Sequence, residues 1–81
     1  MIKKIGKTYY LGRAEAIDYL TQAYQLKWCM TKWSANLIYI NFATANGRRY
    51  VIKVPTYMAG NVSKACLSQR DLDLEMLKVL N

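Results

Sequence analysis

Between residues 37 and 54 apolar and polar side chains alternate on either side of an Asn46-Gly47 pair, and only some pairings of the two halves keep the apolar set together. Strand side chains point to opposite faces with a period of two, so a slip of one residue sends every apolar side chain to the wrong side. A two-residue Asn46-Gly47 loop pairs Ile40 with Lys53 and Asn41 with Ile52, which mixes the sides. A three-residue loop, Ala45-Asn46-Gly47 with Gly47 left-handed, pairs Phe42 with Tyr50, Ile40 with Ile52 and Ile38 with Val54. One face is then wholly apolar, and a five-residue loop preserves it. The other face carries Tyr39 opposite Lys53, Asn41 opposite Val51 and Ala43 opposite Arg49, with Arg48 at the tip.

The elements around this hairpin follow from simpler signals. β-Branched and aromatic residues predict a further strand at Trp28–Trp33, joined to the hairpin through Ser34-Ala35-Asn36, with the hairpin strands at 37–44 and 48–54. Upstream, Arg13–Tyr24 places Ile17, Leu20, Ala23 and Tyr24 at helical spacing, with Glu15 and Asp18 early, where the helix macrodipole favours negative charge. Downstream of Pro55, residues 56–63 contain Gly60-Asn61 and read as a loop that continues into a helical turn at 64–67. Ser68 then caps a final helix, Gln69–Leu80. On that helix Leu72, Met76, Val79 and Leu80 share one arc and Leu77 extends it. Leu74 falls outside the arc and marks a contact for a protein partner or a second copy. Residues 7–11 have the composition of an additional edge strand, which propensity alone does not decide.

The expected fold is α+β: one compact domain over residues 1–81, a three-stranded antiparallel meander with two helices on one face. The order is (β)-α-β-β-β-α, the first strand being the undecided one. The α-β-β-β-α order resembles that of double-stranded RNA-binding domains, which grip phosphates with lysines at the start of the last helix. Here that position reads Ser68-Gln69-Arg70-Asp71-Leu72-Asp73, with acids in their place. The resemblance is confined to element order and implies no family membership.

Charge narrows the function. Twelve Lys and Arg oppose five Asp and Glu, a net +7. Between residues 19 and 70 lie Lys27, Lys32, Arg48, Arg49, Lys53, Lys64 and Arg70, and no carboxylate. Such a field attracts anions over about 8 to 10 Å in physiological salt. There is no histidine, which removes the commonest general base and most catalytic zinc sites. The carboxylates fall on the two predicted helices, away from the basic stretch, where a magnesium-dependent nuclease would need them. No glycine-rich phosphate loop occurs, so no cofactor is expected, and no enzyme. A tyrosine nucleophile for strand transfer would need arginines or metal ligands around the phosphate. The two cysteines, Cys29 and Cys66, are too few for a disulfide framework and read as reduced, buried small hydrophobes. The longest relevant apolar run is residues 37–40, against roughly 20 needed to span a bilayer. No secretory signal is read in the first residues, so the expected location is cytoplasmic, with no membrane partner.

Two functional readings fit. The first is a small basic module that binds nucleic acid or nucleoprotein through the solvent face of the hairpin, with Tyr39, Arg48, Arg49 and Lys53 central and Lys27, Lys32 and Lys64 peripheral. Cations contact phosphates, while flat side chains stack on unpaired bases. Trp28, Trp33 and Tyr50 suit either that face or the core. The second is a protein-interaction module or inhibitor, of the compact kind found as accessory proteins of phages and mobile elements. It would dock on an acidic surface of a larger protein, anchored by Leu74 or an exposed tryptophan, with a homodimer as a further form.

Overall fold

A computed structural model describes residues 2–34, 36–58 and 65–80. Its elements run β1 (Ile2–Ile5), β2 (Thr8–Leu11), α1 (Arg13–Tyr24), β3 (Trp28–Trp33), β4 (Leu37–Ala43), β5 (Arg49–Pro55), β6 (Leu67–Ser68) and α2 (Gln69–Leu80). They form two three-stranded antiparallel sheets, ordered β1-β2-β6 and β3-β4-β5. The α+β class, the meander and the two helices on one of its faces are as the sequence implies.

The hairpin adopts the register that apolar alternation selects, with Phe42 opposite Tyr50, Ile40 opposite Ile52 and Ile38 opposite Val54. The Thr44 N–H donates to the Arg48 carbonyl at 2.8 Å and the Gly47 N–H to the Thr44 carbonyl at 2.9 Å, closing a three-residue loop. Gly47 has φ 87°, the left-handed conformation this loop requires. Strand β3 completes the sheet by pairing Trp33 with Ile38, Thr31 with Ile40 and Cys29 with Phe42.

The inner face of this sheet is the core. Ile38, Ile40, Phe42, Ile52 and Val54 are buried against α1, which packs on β3, and α2, which packs on β5. Helix α1 contributes Ala16 and Leu20 and leaves Ala23 exposed in its last turn, so the buried stripe is shifted from the expected one. Helix α2 buries Leu72 and Met76, with Val79 packed at the margin, while Leu77 and Leu80 are exposed. The buried arc is narrower than the helical wheel suggests because α2 packs mainly on β5, β2 and β6 and leaves Leu74, Leu77 and Leu80 uncovered. Its start is capped as expected, Ser68 Oγ accepting from the Asp71 N–H at 3.4 Å.

The N-terminal strand exists but does not join the meander. Residues 2–11 form a hairpin around Gly6 (φ 62°), and β2 pairs with β6 through Tyr10 with Ser68 and Leu11 with Leu67. Leu67 is therefore extended, in place of a helical turn at 64–67. Leu11 and Leu67 join the buried cluster, which extends the core from the meander into the second sheet. A bridge between Tyr57 and Cys66 closes the connection that leads to β6. Residues 59–64 lie outside the described ones.

The two helices are tied by one carboxylate. Tyr19 and Tyr24 of α1 both donate their hydroxyls to Asp73 Oδ1 of α2, each at 2.6 Å. Burial, reinforced by these bonds to a carboxylate, pushes the Tyr19 hydroxyl up to about 12 and raises that of Tyr24 as well.

Candidate nucleic-acid interface

The strand period that buries one face of the meander presents the other face to solvent. Cross-strand pairing arranges its side chains in rows. Trp28, Ala43 and Arg49 form the row nearest the hairpin tip, and Met30, Asn41 and Val51 form the next. Lys32, Tyr39 and Lys53 follow, and Leu37 with Pro55 close the far end. The face holds three cations and no carboxylate.

Each aromatic ring has a cation beside it. Lys53 Nζ lies 5.7 Å from the centroid of the Tyr39 ring, and Lys32 stands opposite Tyr39 on the other side. With strands about 4.8 Å apart, Tyr39 is centred between two ammonium-bearing residues about 10 Å from each other across the sheet. The Arg49 guanidinium carbon lies 5.8 Å from the centroid of the Trp28 ring, although the two residues are two strands apart. Ala43 lies between them and is only 2% exposed despite its place on the open face. Its methyl group leaves room for the indole to lean across it toward Arg49. Each such cation–ring contact is worth about 0.5 to 1 kcal/mol at an exposed site. These contacts bias the cations toward the rings without fixing them there.

Between the two aromatic rows, Met30 is 66% and Val51 56% exposed. The rows are four residues apart along the strands, which at about 3.4 Å per residue separates Trp28 from Tyr39 by roughly 14 Å. That distance gives two ring platforms on one surface with an uncharged floor of Met30, Asn41 and Val51 between them.

The other sequence-derived residues are distributed differently. Arg48 parts from Arg49: it lines a cleft on the helix side of the tip, with Tyr24, Thr44, Asn46, Tyr50 and Leu80. The expectation that Arg48 and Arg49 form one basic tip on the open face is therefore corrected, because adjacent residues entering a strand point to opposite sides. Lys27 is exposed just before β3, on the alternate position to Trp28. Lys32 is on the open face, and Lys64 lies outside the described residues. Trp33 and Tyr50 point inward and pack on the core, Tyr50 against Phe42 with ring centroids 5.5 Å apart. Leu74 is exposed on α2, remote from the sheet face.

Of this face, sequence reading placed Val51 opposite Asn41 and left Trp28 between face and core; Met30 is the residue it did not name. The register of β3 on β4 would have found Trp28, since pairing Trp33 with Ile38 forces Trp28 to the opposite side. The acids of α2 are engaged elsewhere: Asp71 accepts from the Tyr57 hydroxyl at 2.9 Å, Asp73 holds two tyrosines, and Glu75 pairs with Lys78 at 2.7 Å. Among the described residues no three of His, Cys, Asp and Glu gather where a metal could be held. Cys29 and Cys66 are free thiols, and burial pushes that of Cys29 upward. No described helix is long and apolar enough to cross a membrane. No protein family, curated protein or solved structure matches the chain. The geometry of this face therefore carries the functional reading by itself.

Proposed function

We propose that the chain is a binding module without catalytic activity, and that the open face of β3-β4-β5 takes single-stranded nucleic acid. The observation that carries this reading is the cross-strand row Lys32-Tyr39-Lys53, a ring flanked by cations on both sides, repeated in part by Trp28 with Arg49. An unpaired base stacks on an aromatic ring at about 1 to 3 kcal/mol, and the neighbouring cations meet the phosphates on either side of it. A duplex keeps its bases stacked inside and offers a flat sheet only its backbone, so the exposed rings favour single strands. Lys27 adds charge at the rim. A cytoplasmic setting, with both thiols reduced, belongs to the same proposal.

Fluorescence anisotropy with single-stranded and duplex oligonucleotides at several salt concentrations tests it. With three phosphate contacts from Lys32, Arg49 and Lys53, the slope of log affinity against log salt is expected near −2, about −0.7 for each contact with a single strand. Single strands should bind more tightly than duplex of the same length. Absence of binding to any nucleic acid at low salt rejects the reading. The exposure of Met30 and Val51 favours a second reading, in which an acidic protein surface with an apolar centre docks on the same face. Val51→Asp would then abolish a protein complex formed by a chain that binds no oligonucleotide.

A further inference from the structure

A second surface, sharing no residue with the open sheet face, lies between α2 and the β1–β2 hairpin. It is a cleft of about 430 Å³ lined by Lys7, Tyr9, Gln69, Arg70, Leu74 and Leu77. Leu74 and Leu77 are 50% and 51% exposed, and Tyr9 is exposed beside them. Folding does not require three large apolar side chains to be grouped in solvent, and such grouping marks an interaction site. Two cations border the cleft, Lys7 from the β1–β2 turn and Arg70 from the first turn of α2. Neither pairs with a carboxylate among the described residues. The one acid of the cleft, Asp73, is occupied by the hydroxyls of Tyr19 and Tyr24.

We propose that this cleft docks a short segment of a partner protein that presents two large apolar side chains flanked by Asp or Glu. Charge complementarity selects this occupant. A second copy of the chain would bring Lys7 and Arg70 against a molecule that also carries +7. A nucleic acid would find one ring, Tyr9, and beside it two leucines that bury an apolar side chain but offer a base nothing to stack on. An acidic, apolar segment buries the leucines and the tyrosine while its carboxylates meet Lys7 and Arg70, an apolar anchor within a polar rim. The chain would then join a protein to a nucleic acid through two separate surfaces, although the cleft stands whether or not the sheet face binds nucleic acid.

A displayed library of random peptides, selected on the immobilised full chain and counter-selected on a Leu74→Asp variant, tests this. Enriched peptides are expected to carry paired large apolar residues with neighbouring acids. Synthesised peptides should shift the amide resonances of Tyr9, Leu74 and Leu77 and leave those of Trp28 and Tyr39 in place. Their affinity should fall by about tenfold or more with Leu74→Asp and again with Lys7→Glu. Because Lys7 is an exposed turn residue, its variant keeps the test open if Leu74→Asp fails to fold. The proposal is overturned if nothing is enriched, if basic or purely apolar peptides win, or if the peptides bind the Lys7→Glu chain equally well. It is also overturned if the chain sediments as a dimer through this cleft or if oligonucleotides shift the cleft resonances.

Discussion

The inner and outer faces of the β3-β4-β5 sheet come from the same residues taken alternately, yet they answer to different demands. The inner face carries Ile38, Ile40, Phe42, Ile52 and Val54 under two helices, as burial of apolar surface requires. The outer face carries Trp28, Tyr39, Lys32, Arg49 and Lys53, and nothing in the folding of the chain calls for rings there. A solvated sheet face is ordinary in antiparallel sheets, and threonine, serine or glutamate would serve it as well. The pairing of ring with cation, in the absence of any carboxylate, is what separates this face from a merely solvated one. The difference teaches where to look for function: in the side chains a strand holds that its packing does not need.

The comparison can be broken most forcefully from the inner side. Phe42→Ala should remove about 3 to 5 kcal/mol of stability, a large part of what a domain this small possesses, and denaturant titration should find it largely unfolded. Val51→Thr, on the neighbouring strand but the outer face, should stay within about 0.5 kcal/mol of the parent in the same titration. If the two substitutions cost the same, the faces are wrongly assigned. Trp28→Ala sharpens the contrast: it should weaken oligonucleotide binding by about 1 to 3 kcal/mol in anisotropy titrations while circular dichroism stays native.

Smaller effects probe what holds the two faces in register and under cover. Gly47→Ala places a side chain at φ 87° and should cost about 1 to 2 kcal/mol in thermal or chemical unfolding, with oligonucleotide affinity little changed. The tie between the helices that cover the inner face has a signature at high pH. The Tyr19 hydroxyl ionises near 12 in the folded chain instead of 10, so the native state retains this proton where the unfolded chain has lost it. The stability from this tie is thus complete below pH 10 and is lost as pH rises through about 12. Ultraviolet titration of tyrosinate should show Tyr19 and Tyr24 among the last to ionise, and Asp73→Asn should bring both back toward the ordinary value.

Much of this contrast is legible in the sequence, and the limits have physical causes. The β4–β5 register could be read because both strands alternate strongly and the loop contains a residue suited to a left-handed bulge. The segment Trp28-Cys29-Met30-Thr31-Lys32-Trp33 carries apolar residues at both parities, Trp28 and Met30 on one and Cys29 and Trp33 on the other, so its faces become distinct only through pairing with β4. That is why Trp28 emerged from the structure while Tyr39 did not need it. The β1-β2-β6 sheet was hidden for another reason: β6 is two residues long, and its partner lies more than fifty positions away, beyond the reach of any local pattern. Arg48 was grouped with Arg49 because its place at the tip was read without applying the alternation that sends adjacent residues to opposite sides. Leu74 could be found because a helical wheel isolates it, and Leu77 became its neighbour because α2 turns a narrower face to the core than its composition allows.

The chain has two tryptophans, one on each face, which permits a direct measurement of the central claim. In a Trp33→Phe variant, excitation at the red edge, where the seven tyrosines do not absorb, leaves the emission to Trp28 alone. Titration with a single-stranded oligonucleotide at low salt is expected to quench it through stacking, and added salt should restore it as the phosphate contacts with the cations weaken. In the reciprocal Trp28→Phe variant, Trp33 beneath the sheet should keep its emission. Unchanged Trp28 fluorescence at saturating oligonucleotide, or quenching of Trp33 in its place, would contradict the assignment of the open face as the nucleic-acid interface.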